Sequence, residues 1–207
     1  MPRTRTFIGI DIGEPLRLNV ALLQQQLAQT GVTVKWVAPP SLHVTLLFLG
    51  EVDDRDLPAV CEVVQTVAAQ EAPFPLGIAG LGAFPNPRRP KVLWSGITAG
   101  QESLQRLHAA LEPPLLALGC YRQEDRAYTP HLTLGRIKSD SAAFRLTQEL
   151  TRWRTWPGGS TQVDEILVFS SELERSGPVY QVLSRAPLRG QAQERTNSRH
   201  STRPPRE

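Results

Sequence analysis

His131-Leu132-Thr133-Leu134, set between Tyr128-Thr129-Pro130 and Gly135-Arg136, is the stretch whose reading decides the fold. It has a near-copy far upstream, His43-Val44-Thr45-Leu46. In an extended strand successive side chains point to opposite faces, so His and Thr at i and i+2 share one face while their apolar neighbours enter a core. Two such strands side by side present two imidazoles and two hydroxyls to one cleft. These are an acid, a base and two hydrogen-bonding groups, the parts needed to move protons around a phosphoryl group. A single His on a strand is ordinarily a surface residue or a satisfied core residue, and one H-x-T says almost nothing. The pair is different. With 4 His and 40% hydrophobic residues in the chain, two such tetrapeptides arise by chance at roughly one in a thousand.

Outward from this pair, the composition bounds the rest. A chain of 207 residues with 40% hydrophobic and 21% charged residues suits one large domain or two small lobes around an ample core. No run of apolar residues is long enough for a membrane span, and Met1-Pro2-Arg3-Thr4-Arg5 leads into a strand with no signal-peptide pattern. Cys61 and Cys120 form neither a metal-type spacing nor a disulfide framework, so buried thiols and a reducing cytoplasm are expected. The net charge of +3 is concentrated at one end, because six Arg and two Glu fall between Arg185 and Glu207. The body is therefore near neutral, and RNA affinity must come from local patches rather than a global field. With few apolar residues beyond Leu188, residues 186–207 are expected to be a disordered Arg-rich tail, and residues 1–185 a single two-lobed domain.

Arg5–Asp11 reads as a strand, followed by a helix with Leu16, Val20, Leu23 and Leu27 at helical spacing and Gly31 as its stop. Thr33–Val37 resumes extended character before Pro39-Pro40. In the strand from His43 to Gly50 the His43/Thr45 face is expected to continue as Leu47 and Leu49, running from an open cleft into a packed interior. Asp53-Asp54 or Asp56 caps a helix with Leu57, Val60, Cys61, Val64 and Val67 on one face. Strands are expected at Phe74–Gly82 and Lys91–Ile97, around a Pro-rich loop 84–90 whose Arg88 and Arg89, with Lys91, suit either solvent or a backbone phosphate. Gly77, Gly80 and Gly82 lack the helix start of a dinucleotide fingerprint and read as strand and turn glycines. A helix with Leu104, Leu107, Leu111 and Leu115 is expected to kink or end at Pro113-Pro114, and His108 on its polar margin receives no role. Ser139-Asp140 offers a cap for a helix carrying Phe144 and Leu150, and Gln162–Ser170 and Pro178–Leu183 read as closing strands. The plan is an α+β fold with a pseudo-repeat around two H-x-T strands.

A wider pattern surrounds these motifs. It comprises Trp36-Val37 before Ser41-Leu42-His43-Val44-Thr45-Leu46-x-Phe48-Leu49-Gly50; Phe84 to Pro90 before Val92-Leu93-Trp94-x-Gly96; Tyr128-x-Pro130-His131-Leu132-Thr133-Leu134-Gly135-Arg136; and Val168-Phe169-Ser170-Ser171-x-Leu173 before Gly177 and Tyr180. Over roughly residues 5–184 the chain resembles the bacterial RNA 2′,3′-cyclic phosphodiesterases, also called 2′-5′ RNA ligases, among the two-histidine (2H) phosphoesterases. The resemblance implies a bilobal, pseudo-symmetric fold of two antiparallel sheets facing a central cleft, with helices outside, and a monomer using neither metal nor cofactor. It implies hydrolysis of RNA ends or oligonucleotides bearing a 2′,3′-cyclic phosphate to a 2′-phosphomonoester, with reversible 2′-5′ RNA ligation when a 5′-hydroxyl replaces water. By motif position, His43 resembles the proton donor and His131 the proton acceptor, while Thr45, Thr133 and Arg136 resemble phosphate-binding groups.

The chemistry of the residue types agrees, since imidazole is the side chain best placed to donate and accept protons near neutrality. Arg136 conflicts with simple alternation: five positions after His131, it should face away from the cleft unless Gly135 hosts a bulge. Three rival readings stand. One is the same chemistry on 2′,5′-oligonucleotides or small cyclic nucleotides, and another is a non-catalytic RNA- or nucleotide-binding module. The third is a metal site, for which two His without a companion Cys, Asp or Glu make poor provision. ATP-driven ligation is disfavoured, because no Gly-Lys dipeptide is present to form a P-loop.

Overall fold

A computed structural model of the chain describes all residues except 32, 88, 124–125, 139–142, 175–176 and 192–207, and the backbone alone at 143–145. Among the described residues the chain forms β1 (Arg3–Asp11), α1 (Gly13–Ala28), β2 (Val34–Trp36), a 3-10 turn at Pro39–Ser41, β3 (His43–Asp53), α2 (Leu57–Ala68) and β4 (Phe74–Phe84). These are followed by β5 (Val92–Ala99), α3 (Gln101–Ala117), β6 (His131–Ile137), α4 (Ala143–Arg152), β7 (Pro157–Val163), β8 (Glu165–Leu173) and β9 (Pro178–Pro187). Every strand pairing is antiparallel. The order is β7-β4-β5-β6-β3-β1-β8-β9, with β2 added to β6.

Two four-stranded halves thus meet at the middle, where β3 and β6 share one register pair, Val44 with Leu132. The expected sheets are two lobes of one continuous sheet joined at that pair. The pseudo-repeat appears in the pairing: β1, β3 and β4 correspond to β5, β6 and β8, and each half lends its last strand to the other. β4 pairs with β5, and β8 with β1. β2 holds β6 only from Gly135 to Ile137, on the edge that β3 leaves free, so the two central strands diverge and open a hollow between them.

The helices pack according to their apolar spacing. Leu16, Val20, Leu23 and Leu27 of α1 are buried, as are Val60, Val64 and Val67 of α2 and Leu104, Leu107, Leu111 and Leu115 of α3. At about 25 cal/mol per Å² of apolar surface, each such Leu or Val contributes roughly 1.5–3 kcal/mol. α2 packs on β8 and β9 and α3 on β3, while α1 packs on β7 and α4 on β4. α3 continues through Pro113-Pro114 to Ala117 instead of stopping there. The fully buried Leu111 and Leu115 on either side of the prolines outweigh the lost backbone donors.

The span 162–170 divides in two: β7 ends at Val163 against β4, and β8 starts at Glu165 beside β9. The ordered chain also passes the boundary expected at residue 185. β9 runs to Pro187, Ala186 and Leu188 are buried, and the Leu188 and Gly190 amides donate to the carbonyls of Asp164 and Glu71. Two small apolar residues among Arg185, Arg189 and Pro187 were enough to hold this segment, which composition alone reads as tail. The proposed cap Ser139-Asp140, Arg88 and residues 192–207 lie outside the described residues, as does the side chain of Phe144.

Candidate active site

The two H-x-T strands carry the same irregularity. In the β1–β3 ladder, Gly9 pairs with Thr45 and Ile8 with Leu47, which leaves Leu46 as an extra residue in β3. In the β5–β6 ladder, Trp94 pairs with Thr133 and Leu93 with Gly135, which leaves Leu134 extra in β6. An extra residue reverses the alternation beyond it. Arg136 therefore joins Thr133 in lining the cleft, and the conflict with simple alternation disappears. In β3 the same reversal takes Leu47, buried as expected, off the His43/Thr45 face on which it was placed, and turns Phe48 into the cleft instead.

Gly135 has a separate task. A Cβ there would lie 2.5 Å from Val34 Cγ1 and 3.0 Å from the Lys35 carbonyl, so only glycine lets β2 approach β6. The carbonyl of the extra Leu134 accepts hydrogen bonds from the Val37 amide and from the buried Gln24 side chain.

The histidines are held alike. Nδ1 of His43 lies 2.8 Å from the Ser41 carbonyl, and Nδ1 of His131 lies 2.8 Å from the Thr129 carbonyl. A carbonyl oxygen only accepts, so each Nδ1 carries the proton, and each Nε2 is left to exchange protons with a ligand. Antiparallel pairing about Val44 and Leu132 carries Thr45 toward His131 and His43 toward Thr133. Phe7, Tyr180 and Phe169 surround the His43 ring at centroid distances of 4.7, 5.2 and 6.0 Å. Phe84 and Trp94 stand at 5.0 and 6.4 Å from that of His131.

Burial in this aromatic wall pulls the His43 imidazole below its ordinary value of 6.5, against the raising effects of the Ser41 carbonyl and the Asp11 carboxylate. A charge on His131 pushes it the same way as burial, so the two rings interact. Asp11 is itself ion-paired with Arg17. Tyr128, on the approach to β6, donates from its hydroxyl to the Thr45 carbonyl at 2.9 Å and stacks on His108 at 4.2 Å. It ties the second motif to the first. Burial raises its phenol far above the usual range, so it stays a neutral donor.

A cavity of about 460 Å³ opens beside this joint, lined by His43, Thr45, Thr133 and Arg136 among others. His131 lies outside that lining, half-buried past the β3–β6 joint. Among the described residues, neither threonine hydroxyl has a protein hydrogen-bond partner, so both are free to bind a ligand oxygen. The sequence reading assigned no role to three further cavity residues: Arg5, Lys35 and Tyr180. Burial raises the Tyr180 phenol, while the charges of Arg136 and Arg5 draw it down. Arg89 and Lys91 do not line the cavity. Among the described residues, no group of three or more His, Cys, Asp or Glu is arranged to hold a metal ion, and no helix is long and apolar enough to cross a membrane.

This fold and site have close relatives. The family model of the 2′-5′ RNA ligase superfamily matches residues 23–175. The chain belongs to the 2′-5′ RNA ligase superfamily. It is 35% identical to an RNA 2′,3′-cyclic phosphodiesterase of Methanothermobacter thermautotrophicus over 178 residues, covering 86% of this chain and 95% of the relative. A solved structure from Thermus thermophilus superposes with a TM-score of 0.76 at 30% identity, covering 91% of this chain and all of the other. Escherichia coli LigT complexed with 3′-AMP superposes with a TM-score of 0.73 at 25% identity, covering 90% and 98% of the two chains.

Proposed function

We propose that the chain hydrolyses the terminal 2′,3′-cyclic phosphate of RNA to a 2′-phosphomonoester by acid–base catalysis without a metal. The observation that carries this reading is the meeting of two H-x-T strands at one register pair, with each imidazole tied through Nδ1 to a backbone carbonyl, which leaves its Nε2 for a ligand. The likeness to the RNA 2′,3′-cyclic phosphodiesterase of Methanothermobacter thermautotrophicus supports it.

In this reading His131 takes a proton from water as the water oxygen bonds to phosphorus. The bond from phosphorus to O3′ breaks, and His43 gives O3′ its proton. One water is added and the 2′-phosphate remains. Exchange with solvent then returns the proton from His131 and restores the one on His43. Each such group is typically worth about 10²–10⁴-fold in rate. Thr45, Thr133 and Arg136 bind the non-bridging oxygens, where hydrogen bonds and positive charge stabilise the transition state. A 5′-hydroxyl attacking in place of water, with O3′ again the leaving group and His43 its proton donor, forms a 2′-5′ bond instead.

His43 is neutral at pH 7 in the free site, because burial lowers its proton affinity. The phosphate anion arriving beside it, with Asp11 behind, favours the imidazolium and prepares the donor. Both halves of the site come from one chain, which suits a monomer, and two free thiols, Cys61 and Cys120, suit the cytoplasm.

The test is product analysis on an RNA oligonucleotide ending in a 2′,3′-cyclic phosphate. We expect a 2′-phosphate end, formed equally well in EDTA. A 3′-phosphate, an intact ring, or activity lost to EDTA and restored by zinc would count against the reading.

A further inference from the structure

The cyclic phosphate of the proposed reaction carries one negative charge, which Arg136 alone can balance. Among the described residues the cavity is lined by two more cations, Arg5 and Lys35. Among the described residues none of the three has a carboxylate within ion-pair distance. Glu51 stands opposite Arg5 in the β1–β3 register, yet the Arg5 guanidinium lies over the Phe48 ring instead, 4.7 Å from its centroid.

The pseudo-repeat explains that position. The extra Leu134 turns the fifth residue after His131 into the cleft, and the extra Leu46 does the same for the fifth residue after His43. In β6 that residue is Arg136; in β3 it is Phe48, an aromatic ring left 41% exposed. Its face carries Arg5, so the His43 half supplies by a stacked pair the cation that the His131 half supplies directly. Stacking also pre-orders a long side chain whose planar fork matches phosphate oxygens. Arg5, Arg136 and Tyr180 all line the same cavity. The cavity volume of about 460 Å³ exceeds what one phosphate fills and suits a nucleotide-sized ligand.

We infer that Arg5, seated on Phe48 and assisted by Lys35, forms a second anion subsite for another phosphate of the substrate, the one joining the cyclised nucleotide to its chain. The inference rests on the function proposed above and narrows it: the substrate is a chain end, not a free nucleoside 2′,3′-cyclic phosphate.

Three substrates test it: a nucleoside 2′,3′-cyclic phosphate, the same compound with an added 5′-phosphate, and a dinucleotide ending in the cyclic phosphate. The wild-type kcat/KM should be higher for the dinucleotide than for the nucleoside. Arg5→Gln should shrink the preference for the dinucleotide over the nucleoside about tenfold, as a charge-assisted contact predicts. Arg5→Lys should recover part of it. The salt dependence of dinucleotide KM should weaken by a slope of about 0.7, the value for one phosphate contact on a single strand. Phe48→Leu should shrink the preference too, and thermal denaturation checks that each variant is folded.

An advantage shared by the 5′-phosphorylated nucleotide supports a subsite open to any phosphate at that position; one confined to the dinucleotide supports a subsite for the diester. No wild-type preference, or equal losses on all three substrates in folded Arg5→Gln, overturns the inference. His43→Ala separates the two levels. If it stops all three reactions while Arg5→Gln changes no preference, the subsite fails and the proposed function stands. If His43→Ala turns over normally, the proposed function itself fails.

Discussion

His43 concentrates the physics of the site in one ring. Its Nδ1 is held by a backbone carbonyl, three aromatic rings surround it, and the second histidine opposes its charge. Because burial holds its imidazole below 6.5, the unfolded chain binds that proton more readily. The stability due to neutral His43 is complete above 6.5 and is lost as pH falls toward the folded-state value. Denaturation at a series of pH values should show a decline below about pH 6.5 that His43→Gln reduces. The alkaline limb of kcat/KM, which reports the free enzyme, should likewise lie below 6.5, and that of kcat should lie higher because the bound phosphate raises the donor. Tyr128→Phe removes the hydroxyl bonded to the Thr45 carbonyl. It should cost about 1–3 kcal/mol in urea denaturation, the range for a buried acceptor left unsatisfied. The side chains proposed to meet the phosphate were legible as candidates because H-x-T is a side-chain pattern. Ser41 and Thr129 were not, since they act through carbonyls that any residue would supply.

At the scale of the element, the extra residues Leu46 and Leu134 decide which side chains see the cleft. Strict alternation predicts the wrong residue in β3 and the wrong face for Arg136. Nothing in Leu-Leu-Phe marks a bulge, and Leu-Gly-Arg hints at one only through its glycine, because a bulge depends on the register of neighbouring strands that the sequence does not display. Gly135 was the one visible clue, and its close contact with β2 explains why. Gly135→Ala should push β2 from β6 and move Arg136 with it. We expect a loss of about 1–3 kcal/mol by denaturation, as for overpacking, together with a raised KM. The helices were easier to read, since the 3.6-residue spacing of Leu and Val is independent of partners. Gln24 escaped that reading because its burial serves two carbonyls, those of Val37 and Leu134, and not the apolar face.

Across the whole molecule, the repeat joins two halves at one register pair and lets each lend a strand to the other. The two motifs revealed the halves, but the exchange of β4 and β8 was hidden, because long-range pairing leaves no local signature. The packing of the segment after residue 185 was hidden for a related reason: Ala186 and Leu188 bury themselves against a body that composition does not show. A chain ending at residue 185 should therefore melt below one ending at 191, by an amount matching loss of a buried Leu, about 2–5 kcal/mol. In the proposed reaction this architecture brings His43 and His131 to one phosphorus atom. The most direct test is single-turnover hydrolysis of a cyclic-phosphate-ended oligonucleotide by folded His43→Ala and His131→Ala. The account predicts that each loses at least about a hundredfold in rate; wild-type turnover by either one would contradict it.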